Sequence, residues 1–171
     1  RPKGTWFAGV LFFAAQLVVA LFFSISGTWK IAGALYQIAI GEIGAFSFEA
    51  MARQIAEQYL TTHDSTAIGR IIVEYPKLGW PAYLFAIYLE TFSVLAAFRP
   101  SIHRVWGLML MIFQLGTRLT LNVWSPWGVA IVGLLFVASP FSNDRSSHGM
   151  QVRALPLIHE LIAIRRALFH K

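Results

Sequence analysis

Cysteine is absent from the 171 residues, which removes disulfides, thiolate metal sites and thiol redox chemistry together. Charge is scarce as well: 13% of residues are charged against 57% hydrophobic, and the mean hydropathy is +0.61. So little polar side-chain surface does not cover a soluble globule of this length, and much of the chain is expected to meet lipid. Also missing are a glycine-rich phosphate loop, a G-x-S-x-G elbow and any H-E-x-x-H or H-x-x-x-H pairing. The five histidines, His63, His103, His148, His159 and His170, are scattered outside the apolar runs. Metal or haem ligation by this chain alone is therefore not expected, and no catalytic residue is assigned. Fourteen Lys and Arg outnumber eight Asp and Glu, giving a net charge of +6. These bases flank apolar runs, where they meet anionic headgroups and set topology, so nucleic acid is not an expected partner.

What is present is a set of long apolar runs. Residues 7–27 contain no charge and match the bilayer's hydrocarbon thickness at helical rise. With no small-x-small cleavage site at its end, this run reads as a retained helix and not a signal peptide. Three further spans are expected at 80–98, 105–123 and 126–140, the last only about 22 Å long. Trp80-Pro81 opens the second, and Ser125 with Pro126 caps and starts the fourth. Residues 28–79 read as an extracytoplasmic interfacial segment. Within it Phe48, Met51, Ala52, Ile55 and Tyr59 recur at helical spacing opposite Glu49, Arg53, Gln54 and Glu57. A short helix is expected after the caps Asp64 and Ser65 and before Pro76, while Ile31 to Phe46 fits either a tilted helix or a re-entrant hairpin. Residues 155–169 read as an amphipathic surface helix in which Arg165 is expected to snorkel from the apolar side. The expectation is one all-α domain over 1–171, a four-span bundle with interfacial helices.

Orientation follows from Lys and Arg. Arg1 and Lys3, the turn with Arg99 and Arg104, and the tail from Arg145 to Lys171 share one side of a four-span chain. Both termini are then cytoplasmic.

Charges deep in the spans are the candidate site. Glu90 falls about 15 Å below the outer end of its helix, and Gln16 and Gln114 about 13 Å above the inner ends of theirs. Gln114, Arg118 and Asn122 are spaced by four, making one side of the third helix polar. Glu90 and Arg118 are expected to pair across an antiparallel hairpin, with Gln16, Gln114 and Asn122 satisfying the remaining valences. The alternatives are a ligand such as a quinone headgroup, or a charged group on a partner subunit. A ligand site predicts a cavity touching Glu90 and Arg118; a scaffold predicts their closure on each other.

Phe22-Phe23-Ser24-Ile25-Ser26-Gly27-Thr28-Trp29-Lys30-Ile31, Glu90 ahead of the basic turn, and Thr117-Arg118-Leu119-Thr120-Leu121-Asn122-Val123-Trp124-Ser125-Pro126-Trp127 resemble the DoxX-like membrane proteins and the related four-helix part of HTTM proteins. Gly27 and Lys30 match the family's glycine-x-x-lysine ending of the first helix, and Glu90 its glutamate-bearing helix. Thr91, Phe92 and Ser93 stand where a glycine pair often follows that glutamate. Gln114 stands where HTTM proteins commonly place a histidine, which argues against acid–base catalysis of the carboxylase kind. The resemblance implies a noncatalytic accessory subunit of a quinone-linked redox complex in a bacterial inner membrane, partnered by lipid and other integral subunits. It implies no intrinsic cofactor, with quinone, lipid or pigment held at subunit interfaces. A small enzyme or carrier binding a quinone or lipid at Glu90, Gln114 and Arg118 is the second expectation.

Overall fold

Neither proline nor an unmatched charge interrupts the chain after Lys3, and it forms one helix of 37 residues, α1 (Lys3–Ala39). The computed structural model describes residues 3–41, 44, 46–141 and 156, and everything regular among them is helical. At 1.5 Å per residue α1 is about 55 Å long, well beyond the bilayer's hydrocarbon thickness. The expected end at Gly27 is thus corrected: a single glycine weakens a helix by only about 1 kcal/mol and does not stop it. The stop comes at Gly41, whose φ of +82° is the left-handed conformation that glycine adopts freely, with its N–H on Ile38 O at 3.1 Å. Of the two conformations open for Ile31 onward, the helical one is present as far as Ala39, so the first helix ends about a dozen residues later than the expected boundary.

The two sides of α1 are inverted relative to a helix on a soluble core. Phe7, Leu11, Val18, Phe22, Ile25 and Trp29 lie along one exposed side, whereas Gln16, Ala20, Ser24, Gly27 and Ala34 form the buried side. The fully buried positions are small or polar, Phe12, Leu17, Val19 and Phe23 are half-buried against the core, and the fully exposed side is made largely of big apolar groups.

That small side packs on α4 (Pro76–Ala97), the most extensive helix contact among the described residues. α4 starts at Pro76, not at Trp80, because Pro76 occupies the first-turn position where the missing N–H costs nothing. α1 and α4 are both long and apolar enough to cross a membrane. α5 (His103–Leu121) has the length but carries Arg104, Gln114 and Arg118, and α6 (Pro126–Val132) is apolar but short even with its continuation to Val137.

Two amphipathic helices, α2 (Ala50–Thr62) and α3 (Ala67–Glu74), lie over the ends of α4 and α5. α2 buries Ala52 and Ile55 and turns Arg53 and Glu49 outward as a surface ion pair at 2.9 Å, the division its periodicity predicts. α3 is capped by Thr66, whose Oγ1 accepts from the Gly69 N–H at 3.0 Å; Asp64 and Ser65 do not cap it. The roof is fastened to the end of α5: the Thr120 carbonyl, one of the orphans a helix C-terminus leaves, accepts from the Tyr59 hydroxyl at 3.2 Å and from Thr66 Oγ1 at 3.1 Å.

α5 and α6 close the bundle. Ser125 caps α6 by accepting from the Gly128 N–H at 3.2 Å, with Pro126 at the first position, as the sequence predicts. Beyond Val132 the helix widens, and Ala138 N–H donates to Gly133 O, five residues back, at 2.9 Å. Gly107 admits this wide turn, since a Cβ there would lie 2.7 Å from Phe136 Cβ. The core gathers Leu89, Ala97, Trp106, Leu110 and Phe136, all fully buried. Trp106 satisfies its indole N–H on Ser93 Oγ at 3.0 Å, and Ser93 donates to Leu89 O at 2.6 Å. The amphipathic helix expected at 155–169 lies outside the described residues except for Pro156, whose carbonyl accepts from the Tyr88 hydroxyl at 2.7 Å.

Candidate functional site

The closest approach between α1 and α4 is set by Gly27. A Cβ there would stand 2.5 Å from Thr91 N and 2.8 Å from the Glu90 carbonyl carbon, so the two backbones touch and any side chain would force them apart. One turn earlier, Ser24 Oγ accepts from the Val94 N–H at 2.8 Å and donates to Thr91 O at 3.2 Å, tying the helices backbone to side chain. One turn later, Lys30 reaches Glu90: its ammonium donates to Oε1 at 2.8 Å and Oε2 at 2.7 Å, with Ser26 Oγ a further 3.5 Å donor to Oε2. The Glu90 side chain is 5% exposed and that of Lys30 27%, so the carboxylate is submerged and the ammonium comes to it from the rim. Charge-assisted bonds of this length are among the strong ones, and each ion spares the other an unpaired burial.

Glu90 therefore pairs with Lys30 and not with Arg118. The expected hairpin pair fails because Glu90 lies on the side of α4 that faces α1, while the polar stripe of α5 faces elsewhere. Gln114 lies beside the start of α6, its Oε1 2.7 Å from where a Gly128 Cβ would be. Arg118 is exposed and donates from Nη1 to Asn122 Oδ1, and Asn122 in turn donates to Asp64 Oδ2 at 3.5 Å. That chain of contacts sits at the outer surface under the α2–α3 connection.

Gln16 belongs to a third place. Fully buried, it donates from Nε2 to Leu135 O and lies 3.2 Å from Ser139 Oγ and 3.4 Å from His103 Nδ1. His103 Nε2 lies 3.2 Å from the Ala97 carbonyl, which only accepts, so the ring proton sits on Nε2 and Nδ1 is the acceptor. The cluster joins α1, the start of α5 and the end of the widened helix, and Gln16 serves the Leu135 carbonyl left over where that helix ends. The five polar residues expected as one cluster are thus three separate groups. Gly27, Lys30 and Glu90, by contrast, are brought together.

Sequence reasoning missed His103 and Ser139 as members of a buried network, and no spacing signalled them because they come from helix ends far apart in the chain. It also missed a cavity of about 350 Å3. The cavity opens between α4 and α5 beneath the α2–α3 roof, with Ile55 and Ile72 above, Phe85 and Ile112 at the sides, and Lys30 and Tyr83 among its few polar groups. Neither Glu90 nor Arg118 lines it. Gly116 faces it with open space around its Cβ position. No family model, curated protein or solved structure matches the chain.

Proposed function

We propose that this chain is an integral membrane protein of DoxX type with four spans and cytoplasmic termini, acting as a noncatalytic subunit or assembly partner in a larger, quinone- or electron-transfer-linked inner-membrane complex. The observation that carries the reading is the inverted α1. A helix that fully buries Gln16, Ala20, Ser24 and Gly27 while leaving Phe7, Leu11, Phe22 and Trp29 exposed turns a broad apolar side away from its own fold. In water such a surface would drive aggregation; in lipid, or against another subunit's helices, it is the outward face expected of a span, and small residues inside are how membrane helices approach closely. α5 is then the third span, ending near headgroup depth just ahead of Trp124 and Trp127 in the chain, and the short α6 leans on α5. The Lys30–Glu90 pair supports a structural role, because each charge already has its partner.

The cavity supports a second reading, a small enzyme or carrier holding a quinone or lipid, whose site would then be the space beside Lys30 and Tyr83 and not Glu90, Gln114 and Arg118. Extraction of native membranes in mild detergent, followed by mass identification of copurifying polypeptides and of quinones or pigments, separates the two. A defined set of integral subunits is the result expected; a monodisperse chain carrying only a small molecule would leave the carrier reading, and release by alkaline carbonate would remove both.

A further inference from the structure

The chemistry of the α4–α5 cavity is specific enough to name what it accepts. Its volume of about 350 Å3 lies in the range of sites for small ligands. Its walls are almost wholly hydrocarbon, and Phe85, Ile112 and Leu119, which form them, are also exposed on the outer surface. The mouth is therefore apolar. Apart from the Gln54 amide at the α2 edge, a solute arriving from water would meet no exposed polar group to replace its hydration, whereas a molecule already dissolved in hydrocarbon passes between α4 and α5 without that loss.

Of the polar lining groups, Thr117 and Thr120 spend their hydroxyl protons on the Gln114 and Gly116 carbonyls and Gln54 is exposed on α2, which leaves Lys30 and Tyr83 as the donors with capacity to spare below the roof. The Lys30 ammonium carries three N–H groups, and the two Glu90 oxygens take two of them. The Tyr83 hydroxyl, on the same face of α4 as Glu90 two turns away, makes no hydrogen bond among the described residues. A ligand group meeting both must accept hydrogen bonds. It must also be neutral, because the Lys30 charge is already matched by Glu90 and a second carboxylate would be repelled in a dry site.

We propose that the cavity binds an apolar molecule bearing a neutral carbonyl oxygen, which arrives sideways from the bilayer through the α4–α5 mouth and accepts hydrogen bonds from Lys30 and Tyr83. A lipid ester and a quinone share this chemistry. The inference goes beyond the scaffold role and rests on the spanning arrangement for the ligand's route; the two fail separately, since alkaline carbonate extraction tests the spanning arrangement whatever fills the cavity.

The test is photolabelling of the full chain in lipid nanodiscs with diazirine-bearing long-chain probes, mapped by peptide mass spectrometry. A methyl ester probe is expected to label the peptides around residues 78–86 and 112–121, several-fold above an alkane probe or a fatty-acid probe of equal length. Gly116→Leu fills the open space and is expected to cut ester labelling about tenfold without lowering Tm, and Tyr83→Phe about fivefold, the worth of one hydrogen bond. Should Gly116→Leu fold poorly, Ala82→Phe blocks the cavity from an exposed lining position. Competition by an alkyl benzoquinone or by an unlabelled ester, whichever acts at lower concentration, assigns the natural source. Labelling that survives both blocking variants, or equal labelling by ester, acid and alkane, would overturn the proposal.

Discussion

Lys30 and Glu90, 60 positions apart in the chain, meet through two hydrogen bonds of 2.8 and 2.7 Å at the crossing where Gly27 lets α1 touch α4. The pair and the glycine act as one device: the close approach brings a rim lysine within reach of a submerged carboxylate, and the ion pair holds the approach in register.

Removing one partner strands the other. Lys30→Met leaves Glu90 buried and unmatched and is expected to lower stability by about 3–5 kcal/mol, whereas Arg118→Gln, at an exposed position, stays within about 0.5 kcal/mol. Thermal melts of the purified protein in one detergent compare the two. A loss at Arg118 equal to that at Lys30 would restore the hairpin pair that the sequence predicts.

The two glycines of α1 are expected to respond oppositely. Gly27→Ala drives a methyl into the Thr91 backbone and should cost about 1–3 kcal/mol or force the helices apart. Gly33 has nothing within 4 Å of its Cβ position, so Gly33→Ala should gain about 0.5–1 kcal/mol from helix propensity. Paired melts decide; similar losses at both would mean that propensity and not packing governs the crossing.

Gln16→Leu keeps the volume but withdraws the donor from Leu135 O and from the His103–Ser139 pair. A loss of about 1–3 kcal/mol is expected, since the substitution leaves buried acceptors without their donor. A neutral substitution would show that these groups find other partners.

Outward substitution tests where α1 resides. Phe22 is 72% exposed, and on a soluble helix Phe22→Asp would be tolerated or favourable. On a lipid-facing span it costs about 2.5–3.5 kcal/mol of insertion, read as loss of the chain from the carbonate-washed membrane fraction.

Residue types announced the helices, the apolar runs and the caps Ser125 and Pro126, because those depend on local composition and on which backbone groups a given side chain can satisfy. Element ends were less legible. Gly27 looks like a terminus in sequence and is a packing point in the fold, while Gly41, with its positive φ, is the true stop. Pairing was least legible: helical spacing says that Gln114, Arg118 and Asn122 share a side of α5, but not that this side turns to α6 and the outer surface. Gly27, Lys30 and Glu90 lie together at the place where depth alone points to Arg118. Lys30 falls outside the span read at 7–27, whereas α1 runs on through it.

The most direct measurement is a charge exchange across the α1–α4 crossing. Lys30→Glu and Glu90→Lys alone are each expected to lower Tm sharply by setting like charges side by side, and the double exchange to recover about half or more of the loss. Losses that simply add in the double variant would contradict the account, and so would recovery of Glu90→Lys by a new acid at residue 118 in place of residue 30.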